Sequence, residues 1–214
     1  MPYPSKTDRQ TILSAAVKEL AEAGIRDLSL RNVAASLGLA PNAIYRYFPD
    51  RRALEAAISS EAAQEMELAL RSAAEGREPL AAVRQMASAY IHFARDNRSL
   101  YEAMMRFHVP EHDPTSHESL WAFTVEQVQR LAGRDRAAQA SVALWAYLHG
   151  AVTLEAAQVL GDLEPASGLG FGFEAWLMAV SGKGMPVEAH RTKPTRKTAA
   201  KKAPPRGRPV RAGK

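Results

Sequence analysis

The sequence predicts an all-α protein, and three observations support that prediction. Alanine and leucine are prominent, while runs of β-branched residues are few. Apolar residues recur at the helical spacing i, i+3, i+4 and i+7 along most of the chain. Glycines and prolines interrupt this spacing where helices need to end or begin. We predict about nine helices and no strand: an N-terminal three-helix domain with a helix-turn-helix, then a C-terminal helical bundle and a disordered basic tail.

Charge and composition divide the 214 residues into four segments. Residues 1–6 form a short disordered arm, residues 7–60 the helix-turn-helix domain, residues 61–182 the bundle and residues 183–214 the tail. The tail holds 11 Lys/Arg against 1 Asp/Glu, whereas residues 61–182 hold 9 against 16 and residues 1–60 hold 8 against 6. The net charge of +5 therefore belongs to the tail. The tail has almost no apolar side chains, which predicts disorder.

Cysteine usage and hydropathy limit the possible compartments. The chain has no cysteine, which excludes disulfides and thiolate metal sites. Its first residues lack the charged-then-apolar pattern of an export signal. The longest apolar region, residues 141–160, contains His149, Glu155 and Gln158, so it is typical of a buried helix and not of a membrane span. We expect a cytoplasmic, nucleoid-associated protein with no membrane association.

The most informative stretch is residues 28–54. It begins with a short helix that Ser29 caps and Gly38 ends, because glycine tolerates the positive φ of a helix C-terminus. Pro41 opens a second helix, predicted to run to about Tyr47. The apolar face of the first helix consists of Leu30, Val33, Ala34 and Leu37. Two helices joined by a tight glycine turn indicate a helix-turn-helix.

The remaining helices follow from the same periodicity and from their capping residues. They are predicted at about residues 8–23, 50–73, 79–95, 99–108, 116–133, 135–160 and 171–181. Residues 108–116 and 161–170 are predicted to be loops.

Several side chains in the helix-turn-helix have the chemistry to read base edges. Arg31 suits a bidentate contact with guanine, since its guanidinium matches O6 and N7. On the second helix, Asn42 suits adenine and Arg46 suits guanine, while Pro41 and Ala43 suit thymine methyl groups. The alternative for Arg31 is an ordinary solvated position on a helix face.

The stretch LRNVAASLGLAPNAIYRYFPDRRALEAAI, residues 30–58, resembles the DNA-binding domain of TetR-type transcriptional regulators. That family has a turn of the form A-xx-LG-(V/L), a recognition helix of the form (L/I)-Y-x-(H/Y)-F, and a basic residue opening the next helix. The resemblance covers about residues 7–60. Two positions depart from it: Ala40 replaces the usual capping Ser/Thr, and Arg51 replaces the usual lysine.

The resemblance implies a sequence-specific DNA-binding regulator: a dimeric repressor that binds a palindromic operator on double-stranded DNA and is released by a ligand. Tyr45 and Tyr47 resemble the family's phosphate-contacting aromatics, with partial burial in the core as the alternative. Arg51 adds positive charge at a helix N-terminus, where phosphate is already favoured. Residues 145–150, WAYLHG, resemble the Trp-His-Gly signature of one group of C-terminal domains in the family.

The bundle supplies candidates for a homodimer interface and for an effector pocket. Small residues along one side of the penultimate helix suit a four-helix interface across a two-fold axis, namely Ala143, Ala146, Gly150 and Ala157. The candidate pocket residues, for an unidentified small apolar or amphipathic effector, are Tyr90, Phe93, Tyr101, Met104, Phe107, Trp121 and Trp145. For any one of them, core packing is the alternative.

Other signals do not indicate enzymatic or metal chemistry. His108, His112 and His117 lie near two prolines without a metal-ligand spacing, so we expect no metal site. No paired carboxylates, nucleophile elbow or nucleotide-binding loop occur, so we expect no cofactor and no enzymatic activity.

The tail contains one sharper motif, PRGRP at residues 205–209. Arg206, Gly207 and Arg208 resemble the core of an AT-hook, which lays arginines into a narrow A·T minor groove. The alternative is chance in a tail rich in Lys, Arg and Pro. If the tail dominates binding, the protein is a nucleoid-type DNA-organising protein, which is the second functional hypothesis.

Overall fold

The computed structural model describes residues 7–107, 115–159 and 165–181, except for the side chains of residues 165–169. His108, His112 and the tail motif at residues 205–209 lie outside the described residues. Within the described ranges the chain forms nine α-helices and no strand, which confirms the all-α prediction. The helices are α1 Arg9–Ala23, α2 Leu30–Ser36, α3 Pro41–Ile44, α4 Arg51–Ala74, α5 Pro79–Asp96, α6 Arg98–Arg106, α7 Thr115–Ala132, α8 Ala137–Ala156 and α9 Pro165–Val180.

Two helices begin after an aspartate whose side chain caps the helix N-terminus. The carboxylate of Asp8 accepts a hydrogen bond from the Thr11 amide at 2.7 Å, and that of Asp50 accepts one from the Ala53 amide at 2.8 Å. Both satisfy amides that have no partner within the helix. Ser29 occupies the N-cap position of α2 without a side-chain capping bond.

The boundaries around the last two helices differ from the prediction. Helix α8 ends at Ala156 and not near residue 160, and Gln158 adopts a left-handed φ of 55°. Helix α9 begins at Pro165, so the predicted loop over residues 161–170 is wrong in its second half. A proline fits the first turn because that amide needs no helical partner. The glycines that follow Pro165 weaken the helical pattern of the sequence, which is why the start of this helix was not predicted.

The N-terminal domain packs α1, α2 and α3 against the first turns of α4. Its fully buried side chains come from all four helices and the residues between them: Ile12, Leu20, Val33, Ile44, Phe48, Leu54 and Ile58. The amide of Asn32 in α2 also donates a hydrogen bond to Glu19 of α1 at 2.7 Å. Helices α2 and α3 are too short to be stable alone, so this shared core holds them in place.

The C-terminal bundle forms around the remainder of α4, which contacts α5, α6 and α7. Helix α8 packs on α7 and on α9, and the indole of Trp176 donates a hydrogen bond to the Ala140 carbonyl at 2.9 Å. A Cβ atom at Gly172 would overlap the Tyr147 ring, so this glycine permits the close approach of α9 to α8. None of the described helices combines the length and hydropathy needed to cross a membrane.

Candidate DNA interface and ligand cavity

The turn between α2 and α3 is built on the predicted glycine. Gly38 has a φ of 63°, which glycine adopts without strain. Its amide donates to the Ala35 carbonyl, and the Leu39 amide donates to the Ala34 carbonyl at 2.8 Å. This pair of bonds is a Schellman motif, which satisfies the last carbonyls of α2 and turns the chain sharply. The turn thereby sets the angle at which α3 leaves the core.

Helix α3 is shorter than predicted, since it ends at Ile44 and not at about Tyr47. The Tyr47 and Phe48 amides both donate to the Ile44 carbonyl, so the chain closes one further turn and leaves the helix. Ile44 and Phe48 are buried. Burying this side anchors α3 and leaves its opposite side in solvent.

The structure places most of the predicted base-reading residues in solvent. Arg31, Pro41, Asn42 and Arg46 are exposed, while Ala43 is half-buried. Arg31 and Arg46 form no ion pair with any other described residue. Both guanidinium groups therefore remain available to an external acceptor.

Of the three predicted phosphate-contacting residues, Tyr45 is 49% exposed, while Tyr47 and Arg51 already have partners within the chain. Arg51 forms an ion pair with Glu55, with Nε to Oε1 at 2.6 Å, one turn further along α4. Tyr47 is half-buried, and its hydroxyl donates to the Thr7 carbonyl at 2.8 Å. Arg9 lies over the Phe48 ring at 4.8 Å from its centroid. The Tyr47 and Arg9 contacts fix the start of α1 against the residues that follow α3.

A cavity of about 320 Å³ lies among the helices of the bundle and is partly open to solvent, since Trp121 and Trp145 in its wall are 37% and 44% exposed. Five helices, α4 to α8, contribute to its wall. The lining residues are Met66, Leu70, Met86, Ala87, Tyr90, Met104, Met105, His117, Leu120, Trp121, Thr124, Leu144, Trp145 and Leu148. Its volume lies within the usual range of about 300–1,000 Å³ for ligand pockets.

The structure brings four of the predicted effector residues to this cavity and leaves three away from its wall. The four are Tyr90, Met104, Trp121 and Trp145. Phe93 and Tyr101 are buried in the core, and Phe107 is half-buried against it. The sequence did not indicate the contribution of α4, and His117 was considered only as a metal ligand, a role that we did not expect it to have. Methionine positions were the available signal, since four of the chain's seven methionines line the cavity.

Two short hydrogen-bonded chains border the cavity. The Tyr90 and Tyr101 hydroxyls lie 2.8 Å apart, and the Tyr101 hydroxyl lies 2.6 Å from His149 Nδ1. Burial raises the pKa of Tyr90 far above its usual value, so this phenol stays neutral. On the other side, Ser59 donates to the Met104 carbonyl at 3.2 Å and contacts His117 Nε2 at 3.0 Å.

The Ser59 hydroxyl therefore bridges two neighbouring helices, since it donates to the Met104 carbonyl and lies within hydrogen-bond distance of His117 Nε2. This arrangement joins α4, α6 and α7 at the edge of the cavity.

A helix-turn-helix with exposed arginines, attached through one long helix to a bundle with an apolar cavity, defines a helix-turn-helix transcriptional regulator. Residues 12–58 match the family model for bacterial regulatory proteins of the tetR family, and residues 83–169 match the tetracyclin repressor-like C-terminal domain. The chain belongs to the TetR family of transcriptional regulators. Members of this family are DNA-binding transcription factors and not enzymes.

Individual relatives agree with this assignment. An uncharacterized HTH-type transcriptional regulator of Mycobacterium tuberculosis is 28% identical over 165 residues, which are 75% of this chain and 76% of the relative. The structure of a protein of unknown function from Rhodococcus sp. RHA1 is 25% identical, with a TM-score of 0.71 over 85% of this chain and 99% of that one. A TetR variant from Acinetobacter baumannii AYE in complex with minocycline shares the fold at 18% identity, with a TM-score of 0.65 over 84% of this chain and 99% of that one.

Proposed function

We propose that this regulator is a homodimeric repressor that binds a palindromic operator and is released from it when a small molecule enters the bundle cavity. The observation that carries the proposal is the path of α4. Leu54 and Ile58 of this helix are buried in the N-terminal core, and Met66 and Leu70 line the cavity. A ligand that moves the second half of α4 therefore moves the support of the helix-turn-helix as well.

The exposed side of the helix-turn-helix supplies the proposed DNA contacts. Arg31 and Arg46 would read guanine and Asn42 would read adenine, while Pro41 and Ala43 would contact thymine methyl groups. Tyr45, Tyr47 and Arg51 would contact phosphates, which position the domain without reading sequence. The support for these roles is the exposure of the base-reading residues and the burial of the opposite side of α3.

The outer faces of α8 and α9 support the proposed dimer. Phe171 and Met178 of α9 are 80% and 61% exposed, and Ala175 lies between them at helical spacing. A neighbouring stripe on α8 is exposed or half-buried and consists of Val142, Ala143, Ala146, Gly150 and Thr153. Small residues let two helices approach closely, and a second copy of both helices would bury the large apolar side chains.

Deletion of residues 183–214 tests the proposal against the nucleoid-type alternative. A repressor that reads its operator through the helix-turn-helix keeps its preference for operator over random DNA when the tail is removed, although its overall affinity falls. Footprinting of bound sites before and after deletion gives that preference directly. Loss of all sequence preference with the tail would favour the DNA-organising protein, in which Arg206, Gly207 and Arg208 carry the binding.

A further inference from the structure

The wall of the cavity indicates the chemical class of its ligand. Resting on the function proposed above, we propose that the cavity selects uncharged aromatic molecules and rejects anionic analogues of the same shape. Among the described residues that line the cavity there is no Lys, Arg, Asp or Glu. A charged group placed against this wall would lose part of its hydration without gaining a counter-charge, which is costly.

The polar side chains Tyr90, His117 and Thr124 of the wall already have hydrogen-bond partners within the chain. Tyr90 shares a hydrogen bond with Tyr101, and His117 contacts Ser59. The hydroxyl of Thr124 donates to the Leu120 carbonyl of its own helix at 2.9 Å. A carboxylate or sulfonate needs several donors at once, so it would have to break these bonds to be solvated. An uncharged ligand leaves them in place.

The apolar part of the wall favours flat, polarisable ligands. Trp121 and Trp145 have ring centroids 6.3 Å apart with planes inclined at 59°, and both rings are part of the lining. Met66, Met86 and Met104 lie on three different helices around the same space. Thioethers contact aromatic rings favourably and adjust their shape, so this wall accepts several aromatic frameworks.

Two fluorescent probes with one skeleton test the inference on the full-length protein. N-phenyl-1-naphthylamine is uncharged, and 8-anilinonaphthalene-1-sulfonate carries the same rings with an added sulfonate. We expect the uncharged probe to bind at one site per chain, at least tenfold more tightly than the sulfonate, in titrations without DNA. Equal affinity, tighter binding of the sulfonate, or no binding of the uncharged probe would overturn the inference.

A charge placed in the cavity provides the positive test. Thr124 is half-buried in the wall, so Thr124→Lys introduces an ammonium that reaches solvent, and Thr124→Met is the matched neutral variant. Thr124→Lys should shift the ratio of the two affinities at least tenfold toward the sulfonate, and Thr124→Met should leave the ratio unchanged. An unchanged ratio in a Thr124→Lys protein with wild-type helical content would contradict selection by the cavity.

Failure of this inference is distinguishable from failure of the proposed function. Probe affinity is measured on the protein alone, whereas operator release is measured by adding the uncharged probe to the DNA complex. Selective probe binding without operator release would leave the ligand class standing and count against the ligand-released repressor. Operator release by both probes with equal potency would retain ligand-controlled release and overturn the ligand class.

Discussion

Ser59 Oγ of α4 lies 3.0 Å from His117 Nε2 of α7, and His117 lines the cavity. The same serine donates to the carbonyl of Met104 in α6, which also lines the cavity. Ser59 is buried and follows Ile58, a residue of the N-terminal core. This hydrogen bond is therefore one of the contacts that connect the cavity wall to the helix supporting the DNA-binding domain.

Removal of the serine hydroxyl should weaken the coupling between cavity and DNA. Ser59→Ala removes one of several side-chain contacts between α4 and α7 while those of Gln64 and Glu67 remain, and one hydrogen bond contributes about 1 kcal/mol. The factor by which saturating N-phenyl-1-naphthylamine weakens operator binding should fall by about fivefold. Fluorescence anisotropy with labelled operator measures that factor. Ser72→Ala, an exposed site on the same helix, is the control, and an identical factor in both variants would refute the coupling.

Alanine substitutions of Arg31 and Arg51 should affect operator binding and random DNA binding differently. Arg31→Ala removes a proposed guanine contact, so operator affinity should fall by about 1–3 kcal/mol with a much smaller loss on random DNA. Arg51→Ala removes a proposed phosphate contact and should weaken binding to both DNAs equally. Competition titrations with operator and scrambled duplexes give the affinity of each variant for both DNAs. Equal losses on the two duplexes for Arg31→Ala would remove its role in base reading.

Neutralisation of Glu55 should strengthen DNA binding. The carboxylate holds Arg51 at 2.6 Å, and a phosphate has to compete with it. In Glu55→Gln we expect affinity for random DNA to rise by about two- to fivefold and the salt dependence to steepen by up to about one counterion. Glu126→Gln changes the net charge equally at an exposed site on α7, and it should leave the salt dependence unaltered. A gain of the same size in Glu126→Gln would show a general charge effect.

The two tyrosines that follow α3 should differ in their importance for DNA binding. Tyr45 is exposed, so Tyr45→Phe removes a hydroxyl that can donate to phosphate, at a cost of about 1.5–3 kcal/mol. Tyr47 already donates its proton to Thr7, so Tyr47→Phe should cost about 1 kcal/mol in the free energy of unfolding and less in DNA affinity. Urea unfolding and DNA titrations of both variants test this. Stronger loss of DNA affinity in Tyr47→Phe would reverse the assignment.

A large side chain at Gly150 should weaken the proposed dimer. A Cβ at this position meets no atom within 4 Å in the protomer, so Gly150→Arg is compatible with the fold of one chain. In a two-fold interface the added arginine would meet its own copy and push the helices apart. The dimer dissociation constant should rise at least tenfold, by about 1.4 kcal/mol, in sedimentation experiments. Ala122→Arg on the exposed face of α7 is the control, and dimers of wild-type strength in Gly150→Arg would place the interface elsewhere.

The sequence predicted features that depend on local chemistry. The turn at Gly38, the cap at Asp50 and the proline start at Pro41 all follow from which backbone conformations and hydrogen bonds a residue permits. The start of α9 at Pro165 was not predicted, because several glycines dilute the helical pattern after it. The proposed DNA contacts stay predictions.

Features that depend on tertiary placement were predicted less completely. Tyr90 and Phe93 lie one turn apart on α5 and are both buried, yet only Tyr90 borders the cavity. Periodicity identifies which side chains leave water, but the position of a void among five helices depends on how all of them pack. For the same reason the sequence did not indicate that Met66 and Leu70 line the cavity, since both follow the pattern of ordinary core residues of α4.

Because α4 runs without a break from the DNA-binding domain to the cavity, a tilt at one end displaces the other end. About 15 residues separate Arg51 from Met66, which is roughly 22 Å at 1.5 Å per residue. A tilt of about 5° at the cavity would therefore carry Arg51 through roughly 2 Å, without any change in the cavity volume itself. In the proposed dimer, a ligand would therefore not need to unfold any helix, since the spacing between two helix-turn-helix domains on one operator has little tolerance for displacements of that size.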